Sequence, residues 1–166
     1  MTLNDLVTWA PVFQAAASFV GFGLVLWQLI VLRRNIEGAT QDRLYAHYTE
    51  ICKLFLEKPY LRPYFYNNEP MPDSNPADHP ALTQEIDVMS ETILGLIEHA
   101  VVQHANLPSD SWSHCWQPYA VERVLKSQTV RKFYEDNKDW YAEALRKQIK
   151  IILASADQRK REQKQG

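Results

Sequence analysis

Leu6-Val7-Thr8-Trp9-Ala10-Pro11-Val12-Phe13-Gln14-Ala15-Ala16-Ala17-Ser18-Phe19-Val20-Gly21-Phe22-Gly23-Leu24-Val25-Leu26-Trp27-Gln28-Leu29-Ile30-Val31-Leu32 runs 27 residues without a charge. A bilayer-spanning helix needs ~20 apolar residues, and at ~1.5 Å per residue this one reaches about 40 Å. Trp9 and Trp27 stand about 27 Å apart on such a helix, the separation of two interfacial aromatic belts. Arg33 and Arg34 follow at once, whereas the preceding residues carry only Asp5. That asymmetry predicts a single-pass anchor with its N-terminus outside and the chain after the arginines in the cytoplasm, at the cytoplasmic (inner) membrane. A cleaved signal peptide would have a basic start and an apolar run of ~7–15 residues, and neither matches. A buried core helix fits poorly with so long an uncharged run ended by two arginines.

The anchor is two-faced on a helical wheel. Gln14, Gly21, Gln28 and Asn35 recur at seven-residue spacing, with Ala17 and Ser18 on the same side. Phenylalanines, leucines and both tryptophans spread over the rest. Close backbone approach at small residues and interhelical amide hydrogen bonds are what transmembrane contacts use. A glutamine facing lipid would cost roughly 4–8 kcal/mol on an alkane scale. Gln14, Ala17, Gly21, Gln28 and Asn35 are therefore the expected oligomer interface, or alternatively a pore lining. Against this stands snorkelling of the two glutamines to the interfaces, easier for Gln28 than for Gln14.

Beyond the anchor, ~130 residues suit one domain. The expected division is 1–34 anchor, 35–156 cytoplasmic helical domain and 157–166 charged flexible tail. The net charge of −2 gives no global case for nucleic acid. Its distribution is uneven: no Lys or Arg but nine acids from Pro63 to Glu122, then twelve bases against six acids from Arg123 to Gly166. These halves are expected to face each other, with Asp87, Glu91 and Glu98 near Arg131, Arg146 and Lys150; two separately solvated faces are the plainer reading. Cys52 and Cys115 are too few for a disulfide framework and read as buried thiols.

Leu44, Tyr48, Ile51, Cys52 and Phe55 fall at helical spacing, which predicts one long helix from the anchor to about Glu57, with Gly38 its weakest point. Pro59 ends it. Tyr60–Tyr66 reads as an aromatic helical turn, and the proline-rich run from Asn67 to Pro80 as a loop. From Pro80 to about Ala105, Leu82, Ile86, Met89, Ile93, Leu96, Ile97 and Ala100 form one apolar stripe. Ser109 or Asp110 is the expected N-cap of the next helix, in which Trp112, Trp116, Ala120 and Val124 share a face and Pro118 makes a kink. Ser127 and Asp139 are the expected caps of the last two helices, carrying Val130, Phe133 and Tyr134, then Tyr141, Leu145, Ile149 and Ile152. No period-two pattern occurs, so the fold is expected to be all-α, a bundle of four or five helices after the anchor.

The passage Glu57-Lys58-Pro59-Tyr60-Leu61-Arg62-Pro63-Tyr64-Phe65-Tyr66 behind an anchor resembles one found in uncharacterised bacterial single-pass membrane proteins. The likeness extends to Trp112, Trp116 and the Asn137-to-Tyr141 passage, with Pro118 a departure where a plain helical residue is expected. The resemblance implies an anchored cytoplasmic all-helical domain and no activity.

Chemistry-bearing constellations are sparse. His99 and His104 lie five apart and diverge by about 140° on a helix. A Glu-x-x-His pair starting at Glu98 would need histidine where Val101 stands. No metal site is expected, and His104 reads as a histidine near a helix C-terminus. Five glycines include no phosphate loop, so no cofactor is expected. Neither Cys52, Ser109 nor Ser111 lies in a nucleophile motif, and no catalytic residue is assigned. Arg43 and His47 enclose three residues, too few for the Arg-to-His spacing of some all-α nucleases. Arg159, Lys160, Arg161 and Lys164 are diluted by Glu162 and glutamines and read as a solvated tail. The sequence thus points to a non-enzymatic membrane protein that homo-oligomerises through its anchor. Its partners are the lipid bilayer and a cytoplasmic protein, with no nucleic acid. A multimeric pore is the alternative, and a metal-dependent hydrolase or RNase comes last.

Overall fold

A computed structural model describes residues 3–70 and 80–163. The expected proline-rich loop falls largely outside them, as do the side chains from residue 157 onward. The fold is all-α: among the described residues there is no strand. In chain order the elements are α1 (Leu3–Glu57), a 3-10 turn (Pro59–Leu61) running into α2 (Arg62–Tyr66), and α3 (Pro80–Gln103). A 3-10 turn (His104–Asn106) and a short α4 (Ser109–Ser111) follow. Next come a π-helical turn (Trp112–Trp116), α5 (Gln117–Lys126), α6 (Gln128–Asn137), a 3-10 turn (Lys138–Trp140) and α7 (Glu143–Gln163). The chain divides into two compact units, Met1–Ala39 and Thr40–Gly166, and α1 contributes to both. Its helical backbone passes through Gly38, where loss of a side chain costs only ~1 kcal/mol relative to Ala.

In the first unit every described side chain from Pro11 to Ile36 is exposed, including Phe19, Phe22, Trp27 and Ile30. The helix is long and apolar enough to cross a bilayer. Ser18 Oγ donates back to Gln14 O at 2.9 Å, and Arg33 pairs with Glu37 at 2.9 Å one turn on.

The second unit has one core. The α3 stripe is buried as its period requires, from Ile86 through Met89, Ile93, Leu96 and Ile97 to Ala100. α3 packs on α6 and α7, and α5 packs on the same two helices. Leu44, Ile51 and Phe55 enter this core from α1; Val124 enters from α5, Val130 from α6, Tyr141 from just before α7, and Leu145, Ile149 and Ile152 from α7 itself. Each fully buried Leu, Ile or Phe contributes about 1.5–3 kcal/mol.

Pro59 stops α1 as expected, and the aromatic passage forms the helical turns that follow it. Arg123 and Ser127 tie down the C-terminal end of α2, donating to Phe65 O at 3.0 Å and to Tyr64 O at 3.1 Å. Asn68 sits just beyond with φ 56°, the left-handed conformation common after a helix and well tolerated by Asn. Its Oδ1 accepts from Gln128 N at 2.9 Å, and Ser127 Oγ accepts from Val130 N at 3.2 Å, so the first turn of α6 is satisfied from two directions. Ser127 is thus the N-cap of α6, as expected.

Other termini differ from expectation. Pro108 stands at the N-cap of α4, with no side-chain cap bond, and Asp110 lies inside its first turn. Asp139 lies in the turn before α7 and reaches Arg146 at 3.7 Å. The amide of Ala142, just before α7, instead donates to Glu98 Oε1 on α3 at 2.6 Å. Pro118 sits in the first turn of α5, where a missing N–H leaves no partner unpaired. The disturbance falls one turn earlier, where Gln117 N bonds Trp112 O across a π turn. The helices that carry the acidic and basic halves do pack together, α3 on α6 and α7, but not through the expected pairs. Asp87 feels Lys132 rather than Arg131, although burial still raises its pKa. Among the described residues, none of Asp87, Glu91 and Glu98 pairs with Arg131, Arg146 or Lys150.

Candidate functional site

Two features of the chain carry unspent chemistry, one in each unit. In the first, Gln14, Ala17, Gly21, Gln28 and Asn35 are all exposed along α1. A Cβ added at Gly21 would meet nothing within 4 Å. Seven-residue spacing on a straight helix drifts only ~20° per repeat, so the stripe stays nearly in line.

The second feature was not singled out from sequence. On α1, Tyr45, Tyr48, Cys52 and Phe55 recur at three- and four-residue spacing and form one stripe. On the π turn and α5, Trp116, Tyr119 and Arg123 do the same. The two stripes meet rung by rung. Tyr45 and Trp116 lie 5.3 Å apart between ring centroids, Tyr48 and Tyr119 5.6 Å edge to face, and Tyr48 and Trp116 6.4 Å. Such pairs contribute about 0.5–1.5 kcal/mol beyond their buried area. The π turn sets this register, since its extra residue rotates Trp116 relative to Trp112, and such bulges gather at functional sites.

Arg123 closes the end of the ladder. It is 5% exposed, with its guanidinium 3.9 Å from the Tyr66 ring centroid and 5.7 Å from that of Tyr119. Nη1 holds Phe65 O, and Nη2 reaches Glu122 at 3.3 Å. Glu122 is half exposed and shared with Lys126 at 3.3 Å, so it offsets Arg123 only in part. A second cation, Arg62, has its guanidinium 5.0 Å from the same Tyr66 ring centroid. Three polar atoms in this cluster are buried without a hydrogen-bonding partner: Trp116 Nε1, Tyr119 OH and Arg123 Nε. Burial pushes the Tyr119 phenol far above its usual pKa and raises that of Tyr66 despite Arg123, so both remain protonated donors. The Tyr48 phenol is raised chiefly by its hydrogen bond with Cys52.

Two hollows flank Tyr48. One, of about 170 Å³, is walled by Tyr45, Tyr48, Cys115, Trp116 and Tyr119. The other, of about 440 Å³, opens beside Cys52, Phe55, Arg62 and Tyr66. Cys115 is exposed and Cys52 half-buried, so neither is the fully buried thiol expected.

The histidines are scattered. His104 Nδ1 lies 3.0 Å from Val101 O with its ring against Trp112, and His114 lies 3.1 Å from Asp110 O. His47 has its pKa lowered by burial and, to a lesser extent, by His99. Among the described residues no three His, Cys, Asp or Glu side chains gather into a possible metal site. Arg43 is exposed and His47 half-buried on α1. The alternating stripe Trp116, Tyr119, Arg123 was legible in principle: its helical spacing is as regular as that of Trp112, Trp116, Ala120 and Val124. What hid it is that Arg123 stands at the start of the basic stretch, where nothing local marks it for burial. No protein-family model, no curated protein and no solved structure matches this chain.

Proposed function

We propose that this chain is a single-pass membrane protein that self-associates through its anchor and presents its helical unit to the cytoplasm, where it acts by binding a protein partner rather than by catalysis. One observation carries the reading. From Pro11 to Ile36 the helix exposes phenylalanine, tryptophan, leucine, valine and isoleucine on every side. Water opposes such a surface, and a helix apolar all round is at home either in a core or in hydrocarbon. Arg33 and Arg34 favour the cytoplasm for everything after them. Within the bilayer, the stripe Gln14, Ala17, Gly21, Gln28 and Asn35 is the part of the helix with hydrogen bonds and close approach to offer a second copy.

Topology is tested with a cysteine introduced near Gln163 in a chain lacking Cys52 and Cys115. Impermeant thiol reagents should fail to label it in intact cells, and labelling there overturns the orientation. Association is tested by Gly21→Leu, which should separate the subunits, beside Phe22→Leu, which should not. Protein that stays monomeric in detergent at every concentration removes the self-association. The same stripe, open along its length, is also what a multimeric pore would line with water. Gln14→Leu with Gln28→Leu should then abolish ion flux in liposomes, because a leucine ring dewets the path.

A further inference from the structure

We infer that the hollow between the N-terminal half of α3 and the C-terminal end of α6 seats an arginine side chain presented by the cytoplasmic protein partner. The inference rests on the reading above that the helical unit binds a protein, and it adds what that protein offers. One wall of the hollow is polar and acidic. Gln84, Asp87 and Glu91 follow one another at three- and four-residue spacing on α3 and share a face. The other wall is aromatic, with Phe133 and Asn137 one turn apart on α6 and Trp140 in the 3-10 turn beyond. α3 packs on α6, and the two walls enclose about 470 Å³. Ligand pockets run to ~300–1,000 Å³.

The charge of the occupant follows from the lining. Two carboxylates line the hollow, and no lysine or arginine is among the described residues that do. Neither Asp87 nor Glu91 has an ion pair or a hydrogen bond among the described residues. Asp87 feels Lys132, but that lysine is held 2.6 Å from Asp136 Oδ2. Asn137 Nδ2 donates to Phe133 O at 3.0 Å, so Oδ1 is the end of that amide left to accept. The acceptors therefore want a cationic donor. The rings want the same. Trp140 is 69% exposed and meets Phe133 edge to face at 6.4 Å, so most of its indole is open, and indole is the best aromatic partner for a cation.

A guanidinium uses both walls at once. It stacks flat on an aromatic ring while its N–H groups, all in the same plane, reach carboxylates at its edge. A lysine ammonium is a compact, more strongly hydrated charge and gives up more water to enter. The hollow also selects between arginine in a chain and arginine alone. Free arginine brings an α-carboxylate, which Asp87 and Glu91 repel and no cation in the lining receives. An arginine within a peptide brings none.

The test uses the full chain in maltoside micelles, whose head groups carry no charge, with nitrogen-15 in its tryptophans. The indole N–H signal of Trp140 is the one lost in Trp140→Phe. A Gly-Arg-Gly peptide blocked at both ends, the same peptide with citrulline for arginine, and free arginine are titrated at matched ionic strength. The arginine peptide should move the Trp140 signal saturably. The neutral citrulline peptide and free arginine should each bind about fivefold or more weakly. Asp87→Asn with Glu91→Gln keeps the shape of the wall and removes both charges. It should weaken the arginine peptide about fivefold, with the melting temperature held because neither carboxylate is paired. Glu91→Gln alone should act in the same direction, which keeps the test decisive if the double variant folds poorly. The inference is overturned by a Trp140 signal unmoved up to about 50 mM peptide. Equal affinity for the citrulline peptide, tighter binding of free arginine, or unchanged affinity in both variants overturns it as well. External labelling of the cysteine near Gln163 removes the cytoplasmic partner itself, whereas an unmoved Trp140 beside a shielded cysteine removes this hollow alone.

Discussion

Ser127→Ala should destabilise the helical unit far more than the loss of one surface hydroxyl would suggest. Ser127 is fully buried, accepts from Val130 N at 3.2 Å and donates to Tyr64 O at 3.1 Å. Removing the hydroxyl takes away the N-cap of α6, at about 1 kcal/mol. It also strips the part-buried Tyr64 carbonyl near the end of α2 of its donor, and an acceptor left without one costs about 1–3 kcal/mol, the lower part of the range suiting partial burial. The sum is about 2–4 kcal/mol. At a urea slope of about 2 kcal/mol per molar, the midpoint should fall by about 1–2 M. The assay is urea unfolding of the full chain in micelles, followed by tryptophan fluorescence. Ser113→Ala is the control, because its exposed hydroxyl makes only solvent-facing contacts, to Asp110 O at 3.4 Å and His114 Nδ1 at 3.2 Å, and its loss should stay within about 0.5 kcal/mol. If the two variants unfold at the same urea concentration, Ser127 does not join α2 to α6 and the reasoning fails.

Further outcomes follow from the other polar ties. Glu98→Ala should speed amide exchange at Ala142 and cost about 1 kcal/mol, while Glu98→Gln keeps an acceptor there and should cost less; unaltered exchange in Glu98→Ala refutes the cap. Glu85 receives Lys58 Nζ at 2.7 Å and Tyr60 OH at 2.5 Å, which hold its carboxyl below the usual range, Lys58 foremost. A depressed carboxyl contributes stability above its unfolded pKa of ~4.3 and loses it as pH falls through the folded value. Its carbon-13 titration should therefore sit below that of an exposed glutamate and move upward in Tyr60→Phe, whereas an ordinary midpoint unmoved by the substitution counts against the network.

Much of the fold is legible in the sequence where period alone decides. Ile86 to Ala100 recur every three or four residues, and burying that stripe needs no knowledge of the partner helices. Ser127 is legible for a similar reason, since the cap and the amide it satisfies lie three residues apart. Asp139 misleads because it has the residue type of a cap and stands near the right place, whereas Glu98 reaches Ala142 from 44 residues away. No local pattern announces such a bond. Pro118 marks a disturbance correctly, but the backbone absorbs it as a π turn one turn upstream, which depends on where Trp116 must pack. Arg123 is the hardest case. An isolated arginine beside glutamate and lysine reads as surface, and only the C-terminal carbonyl of α2, 58 residues earlier in the chain, draws it inside.

The corner where α2 meets the α5–α6 junction has a consequence for the speed of folding. Its three ties join residues 58, 63 and 60 positions apart. The long helices rest on i-to-i+4 bonds and can begin to form within their own segments in about a microsecond. The corner must wait for the chain to close over about sixty residues, an entropic barrier that local helices do not face. We predict that these bonds form after the rate-limiting step, once the helices have docked. Ser127→Ala should accordingly leave the refolding rate almost unchanged and place nearly all of its effect on unfolding, with a φ-value near zero.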